Sequence, residues 1–207
     1  MIRLGETPIA VIDVESTGLS PSQDRIVEIA VVRMSEDWMS AGLFETLVNP
    51  ERDPGPTFAH GLAAEDLVDA PLFWEIAPEL SSALDGCVIA AHNVNFDAAF
   101  LRYEFWRLGK VLPKYPLLDT ARAGTALGRI IKGDNRSLAA CCEREHVFLP
   151  ESHTAKGDAT ATAELLRIYL QMAYTLEMDF ADLAVAPLEL CIENTPFRER
   201  SRAVPRK

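Results

Sequence analysis

The sequence predicts a mixed α/β fold, a five-stranded sheet flanked by helices. Three features point to it. Strand-like runs come first and are joined by short connections, which suits a three-stranded antiparallel meander. After them, short apolar runs alternate with amphipathic stretches of helical period, which adds two further strands, read as parallel. And 207 residues, 48 % hydrophobic and 25 % charged, are enough for one domain with a sizeable core.

In chain order, Ile9 to Ile12 form a strand-forming run that ends at two carboxylates, Asp13 and Glu15. Ser20 to Asp24 reads as a turn, Arg25 to Met34 as the second strand and Gly42 to Val48 as the third. Asn49 to Pro56 is loop, with three prolines. A helical turn is expected around Ala63–Leu67 and an amphipathic helix over Phe73–Leu84. Cys87 to Ala91 is a brief buried strand, Asn95 to Leu108 a helix, and Pro116 to Asp119 the last strand. Thr120–Leu127 and Ser137–His146 are helices, the second with Ser137 as its natural N-cap. Asp158–Glu177 is the longest helix. Beyond Pro187 the pattern fades, so residues 1–186 are read as the folded domain and 187–207 as a flexible basic tail.

Charge and cysteine content narrow the function. The net charge is −11, which argues against broad electrostatic binding of nucleic acid. The charge is uneven: Arg198 to Lys207 holds five basic residues and one acid, a net of +4, so residues 1–197 carry −15. An acidic body can still take a phosphodiester where its carboxylates hold metal ions, because the ions reverse the local sign. The basic tail is a candidate nucleic-acid or partner contact, or simply a solvated end. Cys87, Cys141, Cys142 and Cys191 form no CxxC pair and no zinc spacing, so reduced thiols are expected. There is no signal-like N-terminus and no apolar run of membrane-spanning length, so a cytoplasmic protein without membrane association is expected.

Residues two apart in a strand share a face, so Asp13 and Glu15 point the same way. Two unpaired charges at the end of an apolar strand repel and are costly to desolvate. A divalent cation bound through carboxylate oxygens removes both penalties; an exposed, solvated strand end avoids them. Two more acids recur in matching contexts. Asp97 follows Ala91-His92-Asn93 and stands in the first turn of a helix, where the helix dipole favours an acid in any case. Asp158 opens the longest helix after His153-Thr154-Ala155-Lys156-Gly157, and could serve only as a cap. His153 can converge with Asp158 only by projecting from the preceding loop.

The order Asp-x-Glu, then Asp after Ala-His-Asn-x-x-Phe, then His-x-Ala-x-x-Asp resembles the DEDDh exonucleases. This is the DnaQ-like group of the ribonuclease H-like superfamily, which includes the proofreading epsilon subunit of bacterial DNA polymerase III. The resemblance runs from about Ile9 to Leu170 and includes His60-Gly61-Leu62 and Leu118-Asp119-Thr120. It implies a ribonuclease H-like fold and a metal-dependent 3′–5′ exonuclease releasing nucleoside 5′-monophosphates. Asp13, Glu15, Asp97 and Asp158 would hold two Mg²⁺ or Mn²⁺ ions about 4 Å apart, and His153 would be the general base. Thr17, Gly18 and Leu19 would contact the terminal nucleotide, Leu19 and Phe96 by apolar contact with its base; His60 and Asn93 are weaker substrate candidates, and His60 reads equally as a structural loop histidine. Implied partners are single-stranded or frayed 3′ ends of DNA or RNA, and a DNA polymerase. DNA is the favoured substrate. The alternatives are RNA trimming by the same chemistry and a module that binds nucleic acid or polymerase without cutting. Ser16 stands where many relatives have Thr, and Lys156 occupies a position often apolar; neither change touches a ligand.

Overall fold

Strand β1 (Ile9–Ser16) is the middle of the sheet, and everything that matters for the site hangs on where it ends. The computed structural model describes residues 6–55, 57–150 and 154–185. Strand β1 pairs antiparallel with β2 (Ile26–Met34), which pairs antiparallel with β3 (Ser40–Leu47), the expected meander. On its other side β1 runs parallel to β4 (Val88–Ala91), and β4 parallel to β5 (Leu117–Asp119). The mixed α/β fold is as expected, with one correction. A sixth strand, β6 (Ala184–Val185), pairs antiparallel with β5, giving the order β3-β2-β1-β4-β5-β6. It is two residues long, and so short a strand has no periodicity to betray it.

The helices are α1 (Thr57–His60), α2 (Ala64–Leu67), α3 (Phe73–Leu84), α4 (Val94–Arg107), α5 (Thr120–Ala126), α6 (Leu138–Glu145), α7 (Ala155–Thr175) and α8 (Phe180–Leu183). Ser137 caps α6, its Oγ accepting from Ala140 N at 3.3 Å. Side chains alternate along β1 as the pleat requires. Ile9 and Val11 join the core under α7, while Ala10, Ile12 and Val14 join the core under α3 and α4. Asp13 and Glu15 continue the row on the α7 side. Cys87, Cys141 and Cys142 are buried free thiols, as expected; Cys191 and the tail lie outside the described residues. Among the described residues no helix is long and apolar enough to cross a membrane.

Candidate active site

Strand β1 outruns its parallel neighbour. Its pairing with β4 ends at Val11↔Ala90, so the last part of β1 has no strand on that side. The first turn of α4 fills the gap. Asn93 turns the chain in a left-handed conformation (φ 70°), of the kind Asn tolerates, and α4 begins at once. Asp97 then presents its carboxylate to the open edge of β1, where its Oδ1 accepts from Val14 N at 3.1 Å. Asp97 is only 4 % exposed. From the other face of the sheet, α7 brings Asp158 in its first turn. Thr154 caps that helix, its Oγ1 accepting from Gly157 N at 3.1 Å.

The result is that Asp13, Glu15 and Asp158 each place a carboxylate oxygen within 4.8 Å of the others. Electrostatics mark the cluster. Burial, then the charges of Asp97, Asp158, Glu15 and Glu28, hold the Asp13 carboxyl well above the usual carboxylate range. Burial and the neighbouring Asp158 and Glu28 push Glu15 up to about 7. Burial likewise raises Asp97 well above its ordinary value, although the Val14 amide partly opposes this. Such shifts mark carboxylates crowded together and partly desolvated. Hard oxygen donors gathered at this spacing fit a divalent cation.

A fifth acid was not singled out from the sequence. Glu28 pairs across from Glu15 on β2, and its Oε2 accepts from Ala155 N at 3.0 Å. It therefore tethers the start of α7, and Asp158 with it, to the sheet. Its signal was present: it is the one charge in the run from Ile26 to Val32, on the same face as Asp13 and Glu15. Burial raises its pKa, the Ala155 amide opposes, and Glu45 and Asp158 raise it further. Lys156 does not point at the cluster; its Nζ lies 2.8 Å from Glu45 Oε1.

Asp119 has a different task. Its Oδ2 accepts from Val94 N at 2.9 Å and its Oδ1 from Arg122 N at 3.0 Å, so one carboxylate serves the starts of α4 and α5 together. It fixes the helix that carries Asp97.

The residues expected to meet a nucleotide divide into groups. Leu19 is 85 % exposed beside the acids' strand. Phe96 is half-buried and packs on Phe100, ring centroids 4.9 Å apart. Asn93 is exposed on an open groove of about 500 Å³, with Asp119, Arg122 and Arg136. Thr17, by contrast, turns its side chain inward: Oγ1 accepts from Arg25 N at 3.1 Å and donates to Asp24 Oδ1 at 3.3 Å. Its hydroxyl thus shapes the loop. Gly18 is there because a Cβ would lie 2.5 Å from Asp24 Oδ2. His60 is 4 % exposed, and both ring nitrogens are engaged. Leu62 N donates to Nδ1 at 3.1 Å, which leaves the proton on Nε2, 3.2 Å from Pro54 O. In this arrangement His60 is a loop-holding histidine, without a free nitrogen for substrate. His153 lies outside the described residues; its place in the chain is immediately before Thr154, the cap of α7.

The RNase_T family model, described as exonuclease, matches residues 10–166, most of the chain. The chain belongs to this exonuclease family. It is similar to the DNA polymerase III subunit epsilon of Escherichia coli K12, 31 % identical over 172 residues that cover 78 % of this chain and 70 % of that protein. A DNA polymerase III subunit epsilon-like protein of Rhodobacter capsulatus is 39 % identical over 173 residues, covering 78 % of this chain. This exonuclease chain spans only 24 % of that Rhodobacter protein and, by a 35 % identical match, 12 % of a PolC-type DNA polymerase III of Caldanaerobacter subterraneus. Among solved structures, the fold resembles E. coli exonuclease I in complex with a dT13 oligonucleotide, with TM-score 0.71 at 18 % identity, over 83 % of this chain and 43 % of that one. It also resembles exonuclease X in complex with 5′-overhanging duplex DNA, with TM-score 0.63 at 24 % identity, over 84 % and 96 % of the two chains. The family and fold expected from the three motifs are thus met, and an exonuclease with a cluster suited to divalent metal is the established reading of the chain.

Proposed function

We propose that this exonuclease removes nucleotides one at a time from the 3′ end of nucleic acid, DNA being favoured, with Asp13, Glu15, Asp97 and Asp158 holding two Mg²⁺ or Mn²⁺ ions. The observation that carries this is the meeting of Asp13, Glu15 and Asp158 within 4.8 Å, each drawn from a motif of the right order. When bound, the cations would supply positive charge to the phosphate and lower the pKa of the attacking water. The chain's own residues do the rest. Leu19 and Phe96 offer apolar surface to the terminal base, and the backbone of Thr17-Gly18 offers polar groups to its sugar and phosphate. His153, next in sequence to Thr154, the cap of the helix bearing Asp158, takes the proton from the water. The water oxygen bonds to phosphorus and the bond from phosphorus to the preceding 3′ oxygen breaks. That oxygen leaves with a proton from solvent, and a nucleoside 5′-monophosphate is released. The DNA ligands of exonuclease I and exonuclease X, and the polymerase named in the epsilon relatives, support DNA as substrate and a polymerase as a partner.

The test uses 5′-labelled single-stranded DNA, duplex DNA and RNA, each with Mg²⁺ and with Mn²⁺. The expected outcome is a ladder shortening from the 3′ end, faster on DNA, lost by about 10³-fold in His153→Ala and in Asp158→Asn. Intact strands in every lane, or cuts within the strand, overturn the proposal. Faster loss of RNA leaves the chemistry and reverses the substrate preference.

A further inference from the structure

The loop from Ser16 to Arg25, which holds Thr17, Gly18 and Leu19, is tied down from behind by α4. Glu104, in the last turns of that helix, is 1 % exposed. One of its oxygens, Oε1, receives three groups. Arg25 Nε donates to it at 2.8 Å, Ile26 N donates at 3.2 Å, and Arg107 Nη1 lies 3.3 Å away. Arg107 then spans the loop, its Nη2 donating to Pro21 O at 2.8 Å and to Asp24 O at 3.0 Å. Asp24 in turn fills the inside of the loop. Its Oδ2 accepts from Ser20 N at 2.8 Å, and its carboxylate blocks any Cβ at Gly18. From outside, Gly55 (φ 83°) presses so closely that a Cβ would come within 2.2 Å of Thr17 O.

We propose that Arg25, Glu104 and Arg107 are positioning residues that hold the Thr17–Leu19 loop in the shape that receives the terminal nucleotide, and so set substrate affinity rather than the chemical step. This rests on the function proposed above. The reasoning is one of separation. The three residues brace the loop through Pro21, Asp24 and the Thr17–Arg25 pair, in which Thr17 N donates to Arg25 O at 2.9 Å. None of them is bonded to Asp13, Glu15, Asp97 or Asp158. Asp97 and Glu104 share α4, but Asp97 is fixed at its N-terminal end by Val14 and by the Asp119 cap on Val94. Loosening the far end of the helix therefore frees the loop before it moves the metal ligand. A loop that must be ordered on binding lowers affinity by the cost of ordering it. A change confined to binding appears in KM with kcat preserved.

The experiment compares wild type with Glu104→Gln and Arg107→Met on single-stranded DNA with Mn²⁺. The expected result is a KM raised about tenfold with kcat within about twofold. Hydrogen exchange of the amides of residues 17–25 should speed up in the variants, and the rise in melting temperature on adding Mn²⁺ should be the same as in wild type. If Glu104→Gln does not fold, Arg107→Met decides alone, since the Arg107 side chain is partly exposed whereas Glu104 is fully buried. An unchanged KM in a folded variant, or a kcat that falls as KM rises, overturns the inference. Inactive wild type sinks the proposed function instead, and the exchange measurement still reports whether these residues order the loop.

Discussion

Two groups of acids near opposite ends of α4, one fully buried and one half-buried, are treated in opposite ways. Glu104 is given two arginines and a backbone amide. Asp13 and Glu15 accept no hydrogen bond and meet no cation among the described residues; their neighbours are more carboxylates. The first group is neutralised by the chain itself. The second is not neutralised by the described residues. Burying charge without a partner costs stability, and a fold keeps such a site only where a ligand or a reaction uses it. The contrast distinguishes an acid that holds the structure from an acid that waits for a metal.

The largest expected effect comes from breaking the paired group. Glu104→Ala leaves Arg25 and Arg107 facing each other and strips Ile26 N of its acceptor, so it should cost about 3 kcal/mol of stability. Asp13→Asn should do the reverse in metal-free protein, raising stability by about 1 kcal/mol because it relieves repulsion, while abolishing activity. Urea titrations in the presence of chelator measure both. A loss of stability in Asp13→Asn would erase the contrast between the two groups.

The second effect sharpens the comparison by adding the missing charge. Mn²⁺ at about a hundred times its dissociation constant should stabilise wild type by about 2.7 kcal/mol, a rise in melting temperature of about 5 °C or more. The same addition should leave Asp13→Asn almost unmoved and should stabilise Glu104→Ala as much as wild type. Thermal scans with and without Mn²⁺ read this directly.

The cluster of acids was legible in the sequence, and the group around Glu104 was not, for a physical reason. Asp13 and Glu15 interrupt an apolar strand at spacing two, Asp97 and Asp158 open helices, and such short-range patterns are visible in one dimension. The phase of α4 was legible too, but Glu104 reads there as an ordinary polar residue between Tyr103 and Phe105. Its partner Arg25 is 79 positions away, and only the fold brings the two together. The same holds for Glu28, whose partner Ala155 is 127 positions away. Asp119 was seen as part of a motif, yet its work as a shared cap for two helices depends on Val94 being next to it in space. His60 read equally as a substrate contact and as a loop histidine; the Pro54 carbonyl that engages it comes from a loop with no periodicity to read. Strand β6 escaped because two residues carry no pattern.

The smallest effect is one of pH, and its sign separates the two groups once more. The Glu15 carboxyl is raised from an ordinary 4.5 to about 7, chiefly by burial, then by Asp158 and Glu28. Above pH 7 both folded and unfolded chains carry this charge, and the folded chain bears the repulsion. As pH falls from 7 towards 4.5 the folded chain takes up the proton first, so the unfolded chain binds fewer protons and stability must rise. Metal-free wild type should therefore gain stability on mild acidification relative to Glu15→Gln, by on the order of 1 kcal/mol because Glu15 is partly solvated and screened. With Mn²⁺ present the direction inverts, since protons compete with the cation for the same oxygens and its stabilisation fades as pH falls. Glu15→Gln lacks the titrating group, so subtracting its profile from that of wild type isolates the effect from every other carboxylate. A flat difference without metal would mean that Glu15 is already neutralised within the fold, as Glu104 is.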